Sequence, residues 1–128
     1  MAIEYRIDAE TETVRTTASG TLTEAETMAL YARMRDDPVF RPGYRQLCDL
    51  RGITALDVST AFLQTLAQVS IFSRSSRRAF VATDDFTFGV ARMLQSFCEH
   101  EGREVGVFRT LEEAEAWLDT PEPTRRSA

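Results

Sequence analysis

Extended segments alternate with helical segments along most of this chain, and that alternation restricts the fold more than any other feature. Residues 3–7 and 13–19 are extended and are separated by a short polar turn, which predicts a β-hairpin. Each later strand lies between two helices, and strands joined in this way pair in parallel. The sequence therefore predicts an α/β fold with a mixed, mostly parallel sheet of about five strands, four main helices and an N-terminal β-hairpin.

Element boundaries follow from helix caps, glycines and the spacing of apolar residues. Helices are predicted over 23–35 and 59–73, and two more begin near Asp85 and Thr110. Further strands are predicted over 44–50, 79–82 and 105–108, with Gly20 ending the second strand and residues 51–52 ending the third. The domain is expected to cover 1–119, and the proline-containing segment 120–128 is expected to be a disordered tail.

Apolar residues at helical spacing identify the expected core. The helix after Asp85 carries such a stripe, formed by Val90, Met93, Leu94, Phe97 and Cys98. On the helix before it, the predicted buried stripe consists of Phe62, Leu66 and Val69. We expect four residues in particular to be buried in the core: Val81, Met93, Phe97 and Trp117.

Composition argues against several function classes. The chain has 128 residues, 43% of them hydrophobic, which suits one domain with its own core. Fifteen basic and twenty acidic residues give a formal net charge of −5, so nucleic-acid binding is not expected. No signal peptide and no membrane span are expected, because the first residues lack a basic start and no apolar run approaches about 18 residues.

The residues that usually supply metal or catalytic chemistry are sparse. Cys48 and Cys98 belong to no CxxC pair, and His100 is the single histidine. These residues are too few for a zinc site, and both cysteines are expected to be small buried side chains in a reducing, cytoplasmic protein. No phosphate-binding loop and no nucleophile–base set is recognisable. We therefore expect no metal, no cofactor and no enzymatic activity, with an enzyme of unrecognised type as the third reading after a protein-interaction domain and a ligand-binding module.

Three stretches of the sequence resemble one family: CDLRGITALDVSTAFL, RRAFVATDDFTFGVARML and VGVFRTLEEAEAWL. Together with the element order, they resemble the STAS family of bacterial anti-sigma-factor antagonists, and within it the SpoIIAA-like, or STAS/SEC14-like, branch. The resemblance extends over residues 3–118. It implies a bacterial regulatory or protein-interaction domain.

The same resemblance bears on a phosphorylation switch. In the antagonists, an aspartate is followed directly by a serine, and a partner kinase phosphorylates that serine. Asp57 matches that aspartate here, but Val58 stands at the serine position and Ser59 is displaced by one residue. The resemblance therefore implies a domain without the usual phosphoserine switch. Ser59 is expected to cap a helix, with a phosphorylation role for Ser59 or Thr60 as the alternative.

In an open α/β sheet, ligands and partners favour the carboxyl ends of parallel strands. Asp49, Ser59 and Asp84 are predicted to share that edge. Phe86 and Phe88 are two residues apart on one helix, so we expect one of them to be exposed. The full candidate interaction or ligand edge is Asp49, Asp57, Ser59, Thr60, Asp84, Phe86, Phe88 and Arg92.

These features support a protein partner of unknown identity, and they leave three alternatives open. The first is a small apolar ligand or lipid, held in a pocket near Phe86, Phe88 and the second helix. The second is a homodimer formed through an exposed phenylalanine. The third concerns the basic cluster Arg74, Arg77 and Arg78, which is expected to be a solvated helix end, with anion binding as its alternative.

Overall fold

The computed structural model describes residues 2–121 and confirms the predicted fold class. Residues 122–128 of the predicted tail lie outside the described residues. The strands are β1 (Ile3–Asp8), β2 (Thr13–Thr23), β3 (Arg45–Asp57), β4 (Arg77–Val81) and β5 (Glu104–Phe108). The helices are α1 (Glu24–Arg35), α2 (Thr60–Gln68), α3 (Asp85–His100) and α4 (Leu111–Asp119).

The five strands form one sheet in the order β1-β2-β3-β4-β5. β1 and β2 pair antiparallel as the expected hairpin, and all other neighbours pair in parallel. Each parallel connection passes through a helix. Because consecutive strands are also neighbours in space, the carboxyl ends of β4 and β5 lie side by side, and Val81 is paired with Phe108.

Two strands are longer than the glycines had predicted. β2 continues through Gly20, and β3 continues through Gly52 to Asp57, so the predicted strand ends at these glycines are wrong. The β2–β3 register shifts near Gly20, whose φ of +69° favours glycine. A side chain at Gly52 would lie 3.0 Å from the Cβ of Ser19. Gly20 therefore marks a bulge, and Gly52 marks a close contact between β2 and β3. Neither glycine ends its strand.

The helices are unevenly distributed over the two faces of the sheet. On one face α1 packs over β1 and β2, and α2 and α3 pack over Cys48, Phe80 and Val105. On the other face α4 packs against Leu47, Ala79 and Val81 of β3 and β4. On this second face α4 also reaches β2, where Arg15 forms an ion pair with Glu115 at 3.1 Å.

The helical stripes are rotated relative to the prediction. On α3 the buried residues are Thr87, Ala91, Leu94 and Cys98, whereas Met93 is 40% exposed and Phe97 is half-buried. Small residues at Ala91 and Cys98 bring α3 close to the sheet, which moves the larger side chains to its flanks. The predicted burial is confirmed for Val81 and is wrong for Met93. Phe97 and Trp117 are only partly buried.

On α2 the buried residues are Leu63 and Ala67, and Phe62 and Leu66 are half-buried. The predicted burial of Val69 is wrong, because α2 ends at Gln68 and leaves Val69 71% exposed. The helix is five residues shorter at its C-terminus than the predicted span to residue 73.

The basic cluster also differs from the prediction. Arg77 and Arg78 lie on β4 and are buried, so the prediction that they belong to a solvated helix end is wrong for both. Alternation along a strand sends their side chains to opposite faces. The Arg77 guanidinium lies 5.1 Å from the ring centroid of Trp117 on the α4 face, and that of Arg78 lies 4.8 Å from the centroid of Phe72 on the other.

Both cysteines are free and buried, as expected. Burial raises the pKa of the Cys48 thiol to about 11 and also raises the pKa of Cys98. Neither thiol is therefore activated as a nucleophile at neutral pH. Among residues 2–121, no helix is both long and apolar enough to cross a membrane.

Neighbouring residues on α3 provide a test of this packing. We expect Leu94→Ala to lower the free energy of unfolding by about 2–5 kcal/mol, because it leaves a cavity between α3 and the sheet. Met93→Ala should change it by less than about 1 kcal/mol. Urea denaturation of both variants measures the difference. An equal loss of unfolding free energy in the two variants would contradict the assignment of Leu94 to the buried side of α3 and Met93 to its exposed side.

Candidate functional site

The start of α3 is fixed by a helix cap at the carboxyl end of β4. The Asp84 carboxylate accepts hydrogen bonds from the backbone N–H of Thr87 at 3.0 Å and from its hydroxyl at 3.2 Å. This satisfies an N–H that has no partner within the helix. Asp84 thus positions the first turn of α3, which carries Phe86 and Phe88.

The two phenylalanines occupy different environments. Phe86 is 65% exposed, which confirms that one of the pair lies in solvent. Phe88 is half-buried, with the guanidinium of Arg109 at 3.9 Å from its ring centroid and that of Arg92 at 6.0 Å. These cation–π contacts place two guanidinium groups beside Phe88, one from α3 itself and one from the residue after β5.

Arg109 is a member of this site that sequence reasoning missed. It donates one hydrogen bond to the Thr83 carbonyl at 2.8 Å and forms an ion pair with Asp85 at 2.9 Å. Arg109 directly follows β5, and adjacent parallel strands end at the same edge. The rule that located Asp84 after β4 would therefore have located Arg109 beside it.

Ser59 caps α2, as expected. Its hydroxyl oxygen accepts a hydrogen bond from the N–H of Phe62 at 3.1 Å. Its own N–H donates to a carboxylate oxygen of Glu24 at 2.7 Å, which ties the start of α2 to the start of α1. Thr60 is exposed, and its hydroxyl lies 4.0 Å from the sulfur of Met93.

Asp49 and Asp57 are separated along β3. Asp49 pairs with Val81 at the end of β4, and Asp57 is the last residue of β3, eight positions later (57 − 49). Asp49 shares its side of the strand with Leu47, so it faces away from α2 and α3. Its carboxylate pairs with Arg51 at 2.9 Å. Burial raises the pKa of Asp49, but its hydrogen bonds to Arg51 outweigh this and leave the pKa below its usual value.

The structure thus brings together part of the predicted edge. Phe86 and Met93 are seven residues apart and lie on one side of α3, and both are exposed. We use the name α3 surface for Phe86 and Met93 together with Thr60, whose hydroxyl lies 4.0 Å from the Met93 sulfur. Phe88 and Arg92 lie on the other side of the helix, because a residue two positions from Phe86 is rotated by about 200° around the helix axis. Ser59 precedes Thr60 in the chain, whereas Asp49 lies on the opposite face of the sheet.

The interior near this surface offers little space. An apolar cavity of about 70 Å³ lies among α1, α2, α3 and the end of β3, and its walls include Phe62 and Val90. Phe86 and Phe88 do not line it. Pockets that hold small molecules usually measure about 300–1,000 Å³. In residues 2–121, no group of three or more His, Cys, Asp or Glu side chains is placed to hold a metal ion.

Comparisons with known proteins identify the fold. No family model matches the sequence, and no curated protein matches it. The structure is similar to the crystal structure of an uncharacterized protein of the DUF3478 family, with a SpoIIAA-like fold, from Shewanella loihica PV-4. The TM-score is 0.60 at 19% sequence identity, and the match covers 91% of this chain and 94% of that chain. The chain therefore has the SpoIIAA-like fold that its sequence resemblance implied.

The capping role of Ser59 can be tested by substitution. We expect Ser59→Ala to destabilise the protein by about 0.5–2 kcal/mol, because the N–H of Phe62 loses its acceptor. Ser59→Asp should retain most of the stability, since aspartate is also a good cap. Thr60→Ala is the matched control and should change the free energy of unfolding by less than about 0.5 kcal/mol. If Ser59→Ala and Thr60→Ala behave alike in urea denaturation, the cap does not stabilise α2.

Proposed function

We propose that this chain is a non-enzymatic regulatory domain that binds another protein through the α3 surface. The observation that carries the proposal is the 65% exposure of Phe86. Large aromatic side chains contribute strongly to protein interfaces because they bury much area and lose little conformational entropy on binding. Phe86 stands on a capped helix turn, so it is presented in a defined position.

The surroundings of Phe86 support a protein contact. Met93 is 40% exposed on the same side of α3 and extends the apolar area along the helix. Aromatic residues and methionine are both enriched at protein interfaces. Two exposed apolar side chains on one side of a helix form the kind of patch that marks a binding surface.

The role of Ser59 bears on how such a domain would be controlled. Its hydroxyl caps α2, and Val58 occupies the position where the antagonists carry their phosphoserine. We therefore propose that partner binding does not depend on phosphorylation at Ser59 or Thr60. A cytoplasmic location is part of the same proposal, and it agrees with two free, buried cysteines.

The alternative of an apolar ligand near Phe86 and Phe88 is less well supported. The apolar cavity beside α2 is about 70 Å³ and is not lined by either phenylalanine. A surface that presents Phe86 to solvent suits a protein partner better than it suits an enclosed ligand.

Photo-crosslinking in the native cell tests the proposal. We expect a photoreactive phenylalanine analogue at Phe86 to capture a defined protein, whereas the same analogue at Val39, which is also exposed, should not. With the purified partner, Phe86→Glu should weaken binding by more than about tenfold, as for a central aromatic contact. Val39→Glu is the matched control. Identical crosslinks at both positions, or equal affinity of both variants, would contradict the proposal.

Self-association is the second expected use of this surface, because two copies could cover each other's Phe86. We expect the purified protein to sediment as a homodimer at high micromolar concentration and Phe86→Glu to sediment as a monomer. A strict monomer for the unmodified chain would refute the homodimer and would leave the proposed binding of a different protein untouched.

A further inference from the structure

Arg78 is a charged side chain in the interior of the protein. It lies on the central strand β4 and is 5% exposed. Its Nε donates a hydrogen bond to the Gln46 carbonyl oxygen at 2.9 Å, and its Nη2 donates to the Tyr31 hydroxyl at 3.1 Å. Within residues 2–121, no hydrogen bond engages Nη1.

No negative charge balances this guanidinium. In the described part of the chain, no carboxylate lies at ion-pair distance from Arg78. Three aromatic rings, those of Phe72, Phe80 and Tyr31, lie with centroids 4.8–5.9 Å from its Cζ. Ring faces compensate a buried cation only in part, and a buried charge without a counter-ion is costly.

The neighbouring residue on β4 shows what compensation looks like in the same protein. Arg77 is also buried, but it pairs with Glu104 at 3.5 Å. Its Nη1 also donates to the carbonyls of Trp117 and Thr120 at the C-terminus of α4, at 2.8 Å each. A helix C-terminus carries partial negative charge. Arg78 has neither kind of partner.

Arg103 is another cation close to Arg78. Burial lowers the pKa of Arg103, repulsion from Arg74 and Arg78 lowers it further, and Glu101 raises it. Arg103 donates hydrogen bonds to the carbonyl oxygens of Ala67 and Phe72. Arg103 therefore adds to the charge near Arg78 and does not compensate it.

Arg78 lines an open cleft of about 420 Å³ between α1 and the segment that follows α2. Its walls include the apolar side chains of Phe40, Leu66 and Ile71. Arg35 also lines it, in an ion pair with Asp36 at 3.1 Å. Met28 and Val69, which are 47% and 71% exposed, also line it. The volume is in the range of small-molecule sites.

We propose that this cleft binds a small monocarboxylate with an apolar body, whose carboxylate pairs with Arg78. The ligand group that suits one buried guanidinium with a free N–H is a carboxylate, because it is planar, carries one negative charge and accepts hydrogen bonds. The apolar walls match a hydrocarbon or aromatic body. The site is separate from the α3 surface and does not depend on the function proposed for it.

Octanoate is the probe that tests this site, with 1-octanol and inorganic phosphate as the two comparison ligands. Titration calorimetry on the full chain should show octanoate binding more tightly than 1-octanol, and phosphate should not bind. In an NMR titration, the Nε–H signal of Arg78 should shift with octanoate. The three ligands separate the contribution of the charge from that of the apolar body.

Variants at the cleft localise the binding. Met28→Glu places a negative charge at an exposed position of the cleft, so octanoate should bind about tenfold more weakly. Ala116→Glu, at an exposed position of α4 outside the cleft, should bind as the unmodified protein does. Arg78→Met should abolish octanoate binding if it folds, and Met28→Glu keeps the test decisive if it does not.

Four outcomes would overturn the proposal. These are no octanoate binding at millimolar concentration, equal binding of octanoate and 1-octanol, tighter binding of phosphate than octanoate, and equal effects of Met28→Glu and Ala116→Glu.

Discussion

The parallel pairing of β2 with β3 is the contact on which the rest of the molecule depends. It joins the N-terminal hairpin to the parallel part of the sheet over nearly the whole length of both strands. Gln46 reinforces it, because its amide donates to Thr16 of β2 while its carbonyl oxygen accepts from Arg78 of β4. Three neighbouring strands are thus linked by one buried side-chain network. Buried networks of this kind favour one strand register over its alternatives.

Local sequence signals predicted the elements well, because caps and periodicity act within a few residues. Thr23 and Glu26 form the capping box that the sequence indicated, and Thr110 caps α4. Signals that depend on tertiary contact were misread. Gly20 and Gly52 look like strand ends in the sequence, but pairing across β2 and β3 carries both strands through them. Arg77 and Arg78 look solvated in the sequence because their hydrogen-bond partners come from distant segments: Thr120 for Arg77, and Gln46 and Tyr31 for Arg78.

The candidate site was predictable to a similar degree. The rule that parallel strands end at one edge located Asp84, and the two-residue spacing of Phe86 and Phe88 indicated that one is exposed. That rule does not say which side of a strand a residue faces, so it grouped Asp49 with residues on the other face. It also requires the strand ends to be known, and β3 runs seven residues beyond its predicted end at residue 50 (57 − 50).

The placement of Trp117 gives the protein an optical reporter of its own. It is the single tryptophan of the chain, and its ring lies 5.5 Å from that of Phe108 and 5.1 Å from the guanidinium of Arg77. All three side chains belong to the face that α4 covers. Intrinsic fluorescence excited at the indole band therefore follows the docking of α4, while α1, α2 and α3 on the other face contribute no indole signal. A loss of circular dichroism that precedes the change in emission would mean that the two faces of the sheet come apart separately.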